Sequence, residues 1–345
     1  MRKRCIVLFL AMMVTAILTT TFQPFSLAAE SGSITLKFAT PYGPKHPQVI
    51  PDIKWAEQME KATGGRLKIQ PYFGGTLMGP TETYDELQKG VADIATLTAA
   101  YSKSGFDIHK GTFPFMYGVP ELETRLKIFR KIAHMFPEIY EEFEAVKILR
   151  LSSGSSYQMI SRKPIRKLED MKGLSIKATG LYVQFVTSAG AEGVPLPMSE
   201  TFIALQKGTI DALLAPLETL KTFRFAEVAP FVTILNISST PYPGLGMNLN
   251  AWNNLPADIQ KIISESREKW ELDYGLFQEE KDLEGIKFAR TKNVEFIEPS
   301  SEALDAFYEI LKRVCLDSGK KLDGKGFHGT AIFEEMRRLI KENTP

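Results

Sequence analysis

The sequence predicts an α/β protein of two related lobes with a cleft between them. Three observations support this prediction: a short phrase that occurs twice, a length of 345 residues, and a long helical pattern near the C-terminus. At roughly 150 residues per domain, the length suggests about two domains with ample core. Hydrophobic residues make up 44% of the chain and charged residues 24%, which is typical of a folded protein and excludes a disordered one.

The repeated phrase predicts the order of elements in each lobe. Residues 87–94 read LQKGVADI and residues 205–212 read LQKGTIDA, so Leu, Gln, Lys, Gly and Asp recur at the same spacing. An amphipathic stretch precedes each glycine and an apolar run follows it, which predicts a helix and then a buried strand. Gly90 and Gly208 fit the left-handed position that ends a helix. A chance match is the alternative, but the matching flanks favour duplication, and two lobes imply a cleft for a small ligand.

The remaining elements follow from apolar periodicity and from helix-cap residues. Strands are predicted at 34–40, 64–73, 146–152 and 172–179, and helices at 49–62, 121–143, 199–206, 257–290 and 330–342. Ser199 is the expected N-cap of the third of these helices. The fourth helix, opened by Pro256, has ~34 residues and would reach about 50 Å at ~1.5 Å per residue. That length exceeds one lobe, so we expect this helix to span both.

The first 28 residues read as an export signal. Basic residues 2–4 precede an apolar run to about Phe22, and Ser26-Leu27-Ala28 places small residues before a cleavage site. A membrane anchor is the alternative, but threonines interrupt the run and make it weak for a span of about 20 apolar residues. We therefore expect a signal peptide at 1–28, cleavage after Ala28 and a periplasmic mature protein. Cys315 is then its single cysteine, which leaves no intrachain disulfide.

Several phrases in this order resemble one family. They are GGRLKIQPYFGGTL (64–77), KPIRKLEDMKGLSIKATG (163–180), PLPMSETFIALQKGTIDALLAP (195–216) and AWNNLPADIQKII (251–263). With the signal peptide they cover almost the whole mature chain, which resembles the DctP-like extracytoplasmic solute receptors of TRAP transporters. The resemblance implies a two-lobed periplasmic binding protein fold, with mixed sheets flanked by helices and one long helix across both lobes. It also implies a cleft that closes on a solute for delivery to the membrane permease subunits of the transporter.

The resemblance and the repeat together place the lobe boundaries. Lobe I is expected to comprise residues 29–153 and 241–282, and lobe II residues 154–240 and 283–345. Some family members pair through a swapped C-terminal helix. The stretch after Gly326 is no longer than a closing helix, so we expect a monomer.

The two arginines that many family members use for a carboxylate are replaced here. In most members the strand after K-G-L ends in an arginine that grips the substrate carboxylate, and the matching residue is Lys177. Many members carry a second arginine about eight residues before the K-P-I phrase, where this chain has Ser156. An arginine fork makes two parallel hydrogen bonds to a carboxylate, whereas lysine is a flexible point charge.

Other family binding positions hold apolar or aromatic residues. The asparagine of the family's G-Q-E-N-P stretch is matched by Ala215, and the aromatic residue before S-E by Met198. An acidic or polar residue commonly follows the first LQKG-type strand, where this chain has Thr98 and then Tyr101. Loss of several polar anchors together favours a more apolar or aromatic solute than the usual dicarboxylate or sugar acid. Core packing is the alternative role for Tyr101 and Met198.

The solute hypothesis is therefore a monoacid or a weakly polar organic molecule. Lys177 is its charge partner if the side chain faces the cleft; a solvated lysine at a strand end is the alternative. Further wall candidates lie at the entry to the second lobe, in the loop after the first strand, and where the chain crosses back between lobes. They are Tyr157, Gln158, Tyr42 and Tyr242.

Other functional classes have little support in the sequence. A formal net charge of +1 gives no basic excess for nucleic acid. The four histidines are isolated, so we expect no metal site, and GKKLDGKG (319–326) lacks the Ser or Thr of a phosphate loop, so we expect no cofactor. No GxSxG elbow occurs near SSGSSYQ (152–158). We expect a binding protein and not an enzyme; a receptor for a signalling protein and a periplasmic hydrolase are the alternatives.

Overall fold

Two β-sheets with helices packed on them form the framework of the protein. The computed structural model describes residues 33–343. The predicted signal peptide, residues 1–28, lies outside the described residues. The strands in chain order are β1 (Ile34–Ala39), β2 (Leu67–Tyr72), β3 (Ile94–Thr96), β4 (Val146–Ser152), β5 (Tyr157–Ser161), β6 (Ser175–Lys177), β7 (Glu192–Val194), β8 (Ala212–Ala215), β9 (Phe231–Ile237), β10 (Tyr242–Asn248) and β11 (Glu295–Ile297).

The helices connect these strands or follow them. In chain order they are α1 (Ile50–Ala62), α2 (Thr83–Gln88), α3 (Asp107–Thr112), α4 (Leu122–Met135), α5 (Glu138–Glu141), α6 (Leu181–Ser188), α7 (Met198–Lys207), α8 (Thr219–Thr222), α9 (Leu249–Asn253), α10 (Ala257–Thr291), α11 (Ser301–Asp323) and α12 (Gly329–Asn343). Short 3₁₀ turns lie at Ala99–Tyr101, Leu168–Met171 and Phe225–Glu227. None of the helices described has both the length and the apolar character needed to cross a membrane.

Each sheet is mixed. The first has the order β2-β1-β3-β10-β4, with β10 antiparallel to both of its neighbours and the other pairs parallel. The second has the order β11-β9-β5-β8-β6-β7, in which β5 runs antiparallel to β8 and β9. The chain passes from the first sheet to the second after Ser152 and returns after Ile237. The predicted α/β architecture with two mixed sheets flanked by helices is confirmed.

Helix α10 lies against both sheets, as its length predicted. It has 35 residues, so at ~1.5 Å per residue it reaches about 50 Å. At its N-terminal half, Glu271 accepts a hydrogen bond from the backbone N–H of Leu151 in β4, at 2.9 Å. Farther along, Asp282 accepts one from the backbone N–H of Glu218, just after β8, at 2.8 Å. The helix therefore ties the two sheets together.

The duplicated unit has the predicted local structure. Gly90 follows α2 with a φ of 80°, and Gly208 caps α7 with a φ of 76°. This left-handed backbone is readily adopted by glycine and rarely by other residues. The apolar runs after the two glycines enter β3 and β8, which lie inside the first and second sheet. The repeated phrase thus ends a helix and starts a buried strand in both copies.

One predicted helix is divided in two and one predicted cap residue is wrong, whereas the ends of the other predicted helices shift by no more than one residue. The predicted helix 121–143 is two helices, α4 and α5, because Pro137 has no N–H to donate to a preceding carbonyl and Phe136 leaves helical geometry with a φ of −125°. Ser199 was the expected N-cap of α7, but the helix already begins at Met198 and its N-cap is Pro197. Proline favours this boundary because its ring fixes φ near the value of a helix start.

The core of the first sheet contains a buried ion pair. Trp55 of α1 stacks on Trp270 of α10 with ring centroids 3.8 Å apart. Beside them Asp52 of α1 and Arg150 of β4 form two hydrogen bonds, and both side chains are 1% exposed. Since a lone buried charge is costly, each of these two residues requires the other.

Candidate functional site

A cavity of about 470 Å³ lies where the two sheets approach each other. Its wall is formed where β1, β3, β4 and β6 end and where β5 and β10 start. Helices α3 and α6 and one side chain of α10 complete it. Ligands of open α/β sheets bind outside the carboxyl ends of the strands, and this cavity occupies that place. Tyr42 and Thr98 line it from the first sheet, and Tyr157 and Tyr182 from the second.

Aromatic side chains dominate the cavity wall. They approach each other closely: the ring centroids of Tyr157 and Tyr182 are 5.2 Å apart, and those of Phe113 and Tyr182 are 5.9 Å apart. The aromatic lining residues are Tyr42, Tyr101, Phe113, Tyr157, Tyr182, Tyr242 and Tyr274. Flat apolar faces with a hydroxyl at the edge suit a solute that is partly aromatic and partly polar.

The tyrosine hydroxyls of this wall remain protonated. Burial raises the pKa of Tyr157, Tyr242 and Tyr274 above the usual value for tyrosine. Burial, followed by the nearness of Tyr101 and Tyr242, also raises the pKa of Tyr42. A protonated phenol can donate a hydrogen bond, so these tyrosines offer hydrogen-bond donors to an anion although they carry no charge themselves.

The charged groups of the wall are cationic. Lys110 and Arg150 line the cavity, and no Asp or Glu does so within residues 33–343. The Lys110 ammonium donates to the carbonyls of Ser102 and Gly105, at 2.7 and 2.9 Å. Burial lowers the pKa of His109, another wall residue, to about 4, so its ring is neutral at physiological pH. The wall therefore disfavours a cationic solute and accepts an anionic or neutral one.

Arg150 was not among the predicted site residues. Burial alone would lower its pKa, but the Asp52 carboxylate outweighs this and raises the pKa of Arg150, so the guanidinium stays charged. A signal was present in the sequence: Arg150 is a charged residue within the otherwise largely apolar strand VKILRLS. Thr96 and Tyr182 were also missed, and both line the cavity with a buried hydroxyl that has no partner among the described residues.

Lys177 lies at the end of β6 and outside the cavity wall. Its side chain is 7% exposed, and among the described residues it makes no hydrogen bond or ion pair. Burial lowers the pKa of Lys177 below its ordinary value because nothing compensates the lost hydration of the ammonium. The wall begins two residues later, at Thr179 and Gly180.

The structure separates the remaining predicted site residues into two groups. Five predicted residues line the cavity: Tyr42, Thr98, Tyr101, Tyr157 and Tyr242. Thr98 is held in place, since its hydroxyl bonds to the carbonyl of Pro80 and to the hydroxyl of Thr83. Tyr101 is the most accessible of the five, with 59% of its surface exposed.

The other group has structural partners away from the wall. The hydroxyls of Ser156 and Ser238 are 2.8 Å apart. Gln158 donates to Asn236 at 3.0 Å and accepts from the backbone N–H of Leu235 at 2.7 Å. The first interaction joins the residue before β5 to the residue after β9, and the second joins β5 to the end of β9. Ala215 is buried in the core of the second sheet, and Met198 packs against the same core.

A second polar cluster lies beside the first crossing between the sheets. Arg125 of α4 donates to the carbonyl of Gly154, at 2.7 Å, in the segment that joins β4 to β5. Asp282 of α10 lies close by, and burial raises its pKa to about 7. Glu218 follows β8, and burial raises its pKa as well. Segments that follow strands of both sheets therefore lie beside Asp282 and Glu218, two carboxyl groups with raised pKa values.

Comparison with known proteins gives consistent matches. The family model described as "Bacterial extracellular solute-binding protein, family 7" (DctP) matches residues 38–321. The C4-dicarboxylate-binding periplasmic protein DctP of Rhodobacter capsulatus is 26% identical over 300 residues, which cover 84% of this chain and 87% of that protein.

Two solved structures have the same fold. The TRAP periplasmic solute binding protein of Desulfovibrio salexigens, an open complex with the C-terminus of a symmetry mate in its ligand-binding site, has a TM-score of 0.80 at 27% identity. The match covers 90% of this chain and 97% of that one. The TRAP solute binding protein of Rhodoferax ferrireducens, in complex with copurified benzoate, has a TM-score of 0.78 at 24% identity, over 90% of this chain and 98% of that one.

Proposed function

The chain belongs to bacterial extracellular solute-binding protein family 7, and from that premise we propose its role in detail. It is a periplasmic receptor that captures a small organic acid or a weakly polar organic solute in the cavity between the sheets. The receptor then delivers the solute to the membrane permease subunits of a TRAP transporter.

The cavity wall is the observation that carries this proposal. It combines seven tyrosine and phenylalanine rings with two cationic side chains, and it contains no carboxylate within the described residues. Such a wall buries an apolar body, donates hydrogen bonds to an anionic or polar group, and rejects an amine. A volume of about 470 Å³ suits a small organic molecule.

The mechanism that follows is binding with hinge closure. The first lobe, residues 29–153 and 241–282, and the second, residues 154–240 and 283–345, meet at the cavity. A solute that contacts Tyr42 on one side and Tyr157 on the other stabilises the closed arrangement over an open one. The permease distinguishes the closed shape, so only a loaded receptor releases its solute to it.

Catalysis has no role in this proposal. His109 lines the cavity, but among the described residues no carboxylate of the wall orients its ring as a base, and burial disfavours its protonated form. We propose a monomer, exported by a cleaved signal peptide at residues 1–28. A receptor that presents its solute to a signalling protein would use the same cavity, and the presence of adjacent permease genes separates transport from sensing.

Lys177 stays a prediction as the charge partner of the solute. In its favour, Lys177 is largely buried and its side chain has no hydrogen-bond or ion-pair partner among the described residues, and a bound anion nearby would offset the lost hydration. Thr179 and Gly180 line the wall and Lys177 does not, so we propose that it acts on the solute through its field and not by direct contact.

A thermal-shift screen tests the proposed function. The mature protein is unfolded, stripped of any copurified solute, refolded and mixed with aromatic acids, keto acids, short dicarboxylates and amines. We expect saturable stabilisation by an acid, no effect of amines, and recovery of the acid chemically unchanged. Consumption of the stabilising compound would instead identify a hydrolase, and absence of stabilisation by every organic solute would contradict the receptor role.

A further inference from the structure

One corner of the cavity contains an arginine that is held in place by the protein itself. Arg150 donates through Nε and Nη2 to Asp52, at 2.9 and 3.1 Å. Its Nη1 donates to the carbonyl of Leu151 and to the hydroxyl of Ser152, at 3.2 and 2.8 Å. The guanidinium also lies over the ring of Tyr274, 3.7 Å from the ring centroid. Of the five N–H groups of an arginine, these bonds use four, so within residues 33–343 one N–H of Nη2 has no acceptor.

Hydroxyl groups adjoin this arginine on the strand surface. Ser152 follows Arg150 by two residues in β4, so the two side chains share one face of the sheet. The Ser152 oxygen accepts from Arg150, and its hydroxyl also lies within hydrogen-bond reach of the Tyr242 and Tyr274 hydroxyls, so these groups form one polar cluster. Tyr242 is the register partner of Ser152 in β10 and lines the same cavity.

The backbone of β10 makes room for this arrangement. A Cβ atom at Gly244 would lie 1.8 Å from the Ser152 hydroxyl oxygen, so only glycine leaves that oxygen in place. Gly244 itself lines the cavity. The absence of a side chain at Gly244 therefore lets the Ser152 hydroxyl pack against the backbone of β10, within reach of Arg150.

A third hydroxyl, that of Thr96, lies in the register row of Arg150 and has no partner in the part of the chain that the structure describes. Thr96 ends β3 and pairs with Leu245, which pairs in turn with Arg150 two strands away. The Thr96 hydroxyl is buried at the cavity wall, and no described residue bonds to it. A buried hydroxyl without a partner costs free energy, and a polar ligand in the cavity would remove that cost.

We propose, on the basis of the receptor function above, that Arg150, Ser152, Thr96 and Tyr242 form the carboxylate-binding site of the cavity. We call this set the Arg150 corner. Its ligand is an aromatic monocarboxylate, whose ring lies among the tyrosine and phenylalanine side chains of the remaining wall. The corner lies on the first sheet, whereas the strand arginine of the resembled family corresponds to Lys177 on the second.

The pairing with Asp52 explains why one carboxylate fits and two do not. Asp52 neutralises the charge of Arg150, so the corner offers one spare N–H and several O–H donors but no net positive charge. A second carboxylate would have to lie against aromatic rings. The other cation of the wall, Lys110, already donates to two backbone carbonyls. A dicarboxylate would thus leave one of its charges buried without compensation.

Titration calorimetry with three probes tests this inference. Benzoate carries the expected carboxylate and ring, benzamide has the same shape without charge, and succinate has two carboxylates. We expect the refolded protein to bind benzoate at least tenfold more tightly than benzamide and to bind succinate weakly or not at all. Equal affinity for benzoate and benzamide would overturn the proposal, as would a preference for succinate.

Variants of the Arg150 corner that keep the ion pair of Arg150 with Asp52 provide a second test of this inference. Arg150→Lys risks misfolding, so Ser152→Ala, Thr96→Val and Tyr242→Phe are used, each of which removes one hydroxyl. We expect each to weaken benzoate binding by about 5- to 30-fold. Tyr84→Phe is the matched control, because the Tyr84 hydroxyl accepts from the backbone N–H of Ala145 outside the cavity wall. Thr96→Val should also raise the melting temperature of the solute-free protein, since it removes an unpartnered buried hydroxyl.

The outcomes separate this inference from the function it rests on. Corner variants that bind benzoate as tightly as the parent overturn the corner, and so does a large loss of benzoate binding in Lys177→Met alone. Binding of another acid but not of benzoate overturns the ligand class and leaves the receptor function standing. If no organic solute of any class binds, both the Arg150 corner and the receptor function are wrong.

Discussion

Buried polar side chains around the cavity differ in whether the protein itself supplies their partners. Arg150 has Asp52, Ser152 and a backbone carbonyl, so its position is fixed in the absence of a solute. Lys177 is nearly as buried but has no hydrogen-bond or ion-pair partner among the described residues. We attribute direct contact with the solute to Arg150, and to Lys177 a cost in stability with only a small effect on affinity through its field.

Lys177→Met tests this distinction. Burial lowers the pKa of Lys177 in the folded protein, so folding disfavours the charged ammonium and its cost is present at neutral pH. We expect the solute-free variant to unfold at a higher temperature than the parent at pH 7, by a few degrees. Its affinity for the acid found in the screen should fall less than threefold, as measured by calorimetry. A hundredfold loss of affinity would show that Lys177 is the direct anchor.

At the residue level, the sequence identified part of the cavity wall. Tyr42 was predicted because it lies in the loop after the first strand, and Tyr242 because it lies where the chain crosses back between the lobes; both line the cavity. Tyr274 could not be found in this way, since the direction it faces depends on how α10 crosses the first sheet. The same holds for Lys177, whose family position does not determine whether its side chain reaches the wall.

At the level of elements, α10 and its two glycines determine how closely the sheets are joined. A Cβ at Gly285 would lie 2.1 Å from the carbonyl oxygen of Leu217, which is backbone and cannot rotate away. A Cβ at Gly275 would lie 2.3 Å from a methyl group of Leu122, a side chain that can change rotamer. At Gly285, α10 therefore packs directly against the backbone of Leu217, just after β8 of the second sheet.

These two glycines form a matched pair of substitutions. Gly→Ala within a helix gains about 1 kcal/mol from helix propensity, and forced overlap in a packed region costs about 1–3 kcal/mol or more. We expect Gly285→Ala to lower the free energy of unfolding by about 2 kcal/mol, because backbone must move. Gly275→Ala should be within about 1 kcal/mol of the parent. Urea denaturation measures both, and equal effects would show that α10 does not rest on Leu217.

Asp282 predicts a pH dependence of stability. Burial raises its pKa from 3.8 to about 7 in the folded protein, so between pH 4 and 7 the folded chain holds a proton that the unfolded chain has released. The stability that this carboxyl contributes is complete below about pH 4 and is lost as the pH rises through 7.

Asp282→Asn isolates that contribution. Asparagine stays neutral and keeps an oxygen to accept from the backbone N–H of Glu218. We expect the free energy of unfolding of the parent, minus that of the variant, to fall by about 2 kcal/mol from pH 4 to pH 7. The contribution of His109 cancels in this difference because both proteins contain it. A difference that stays constant with pH would contradict a raised pKa at Asp282.

Elements were predictable where a local signal marked their ends. The glycines of the LQKG phrase ended two helices as expected, and Pro256 preceded the long helix α10. The predicted helix 121–143 failed at Pro137 because apolar periodicity continued through a residue that breaks a helix. Periodicity reports which face is buried, and it does not report whether the backbone is continuous.

For the whole molecule, the account requires that the two sheets close on the solute. The cavity wall takes side chains from both, and three segments join them: the crossings after Ser152 and Ile237, and α10. Small-angle scattering should show a smaller radius of gyration with saturating solute than without it, at the mass of one chain. An unchanged radius would contradict hinge closure, and a doubled mass would contradict the monomer.

Equilibrium dialysis of the stripped, refolded protein against the acid found in the screen tests the central claim most directly. The account predicts saturable binding of one molecule per chain, competition by other aromatic monocarboxylates but not by amines, and full recovery of the acid in unchanged form after unfolding. Absence of saturable binding, or recovery of a chemically altered compound, would contradict a receptor that captures its solute and passes it on.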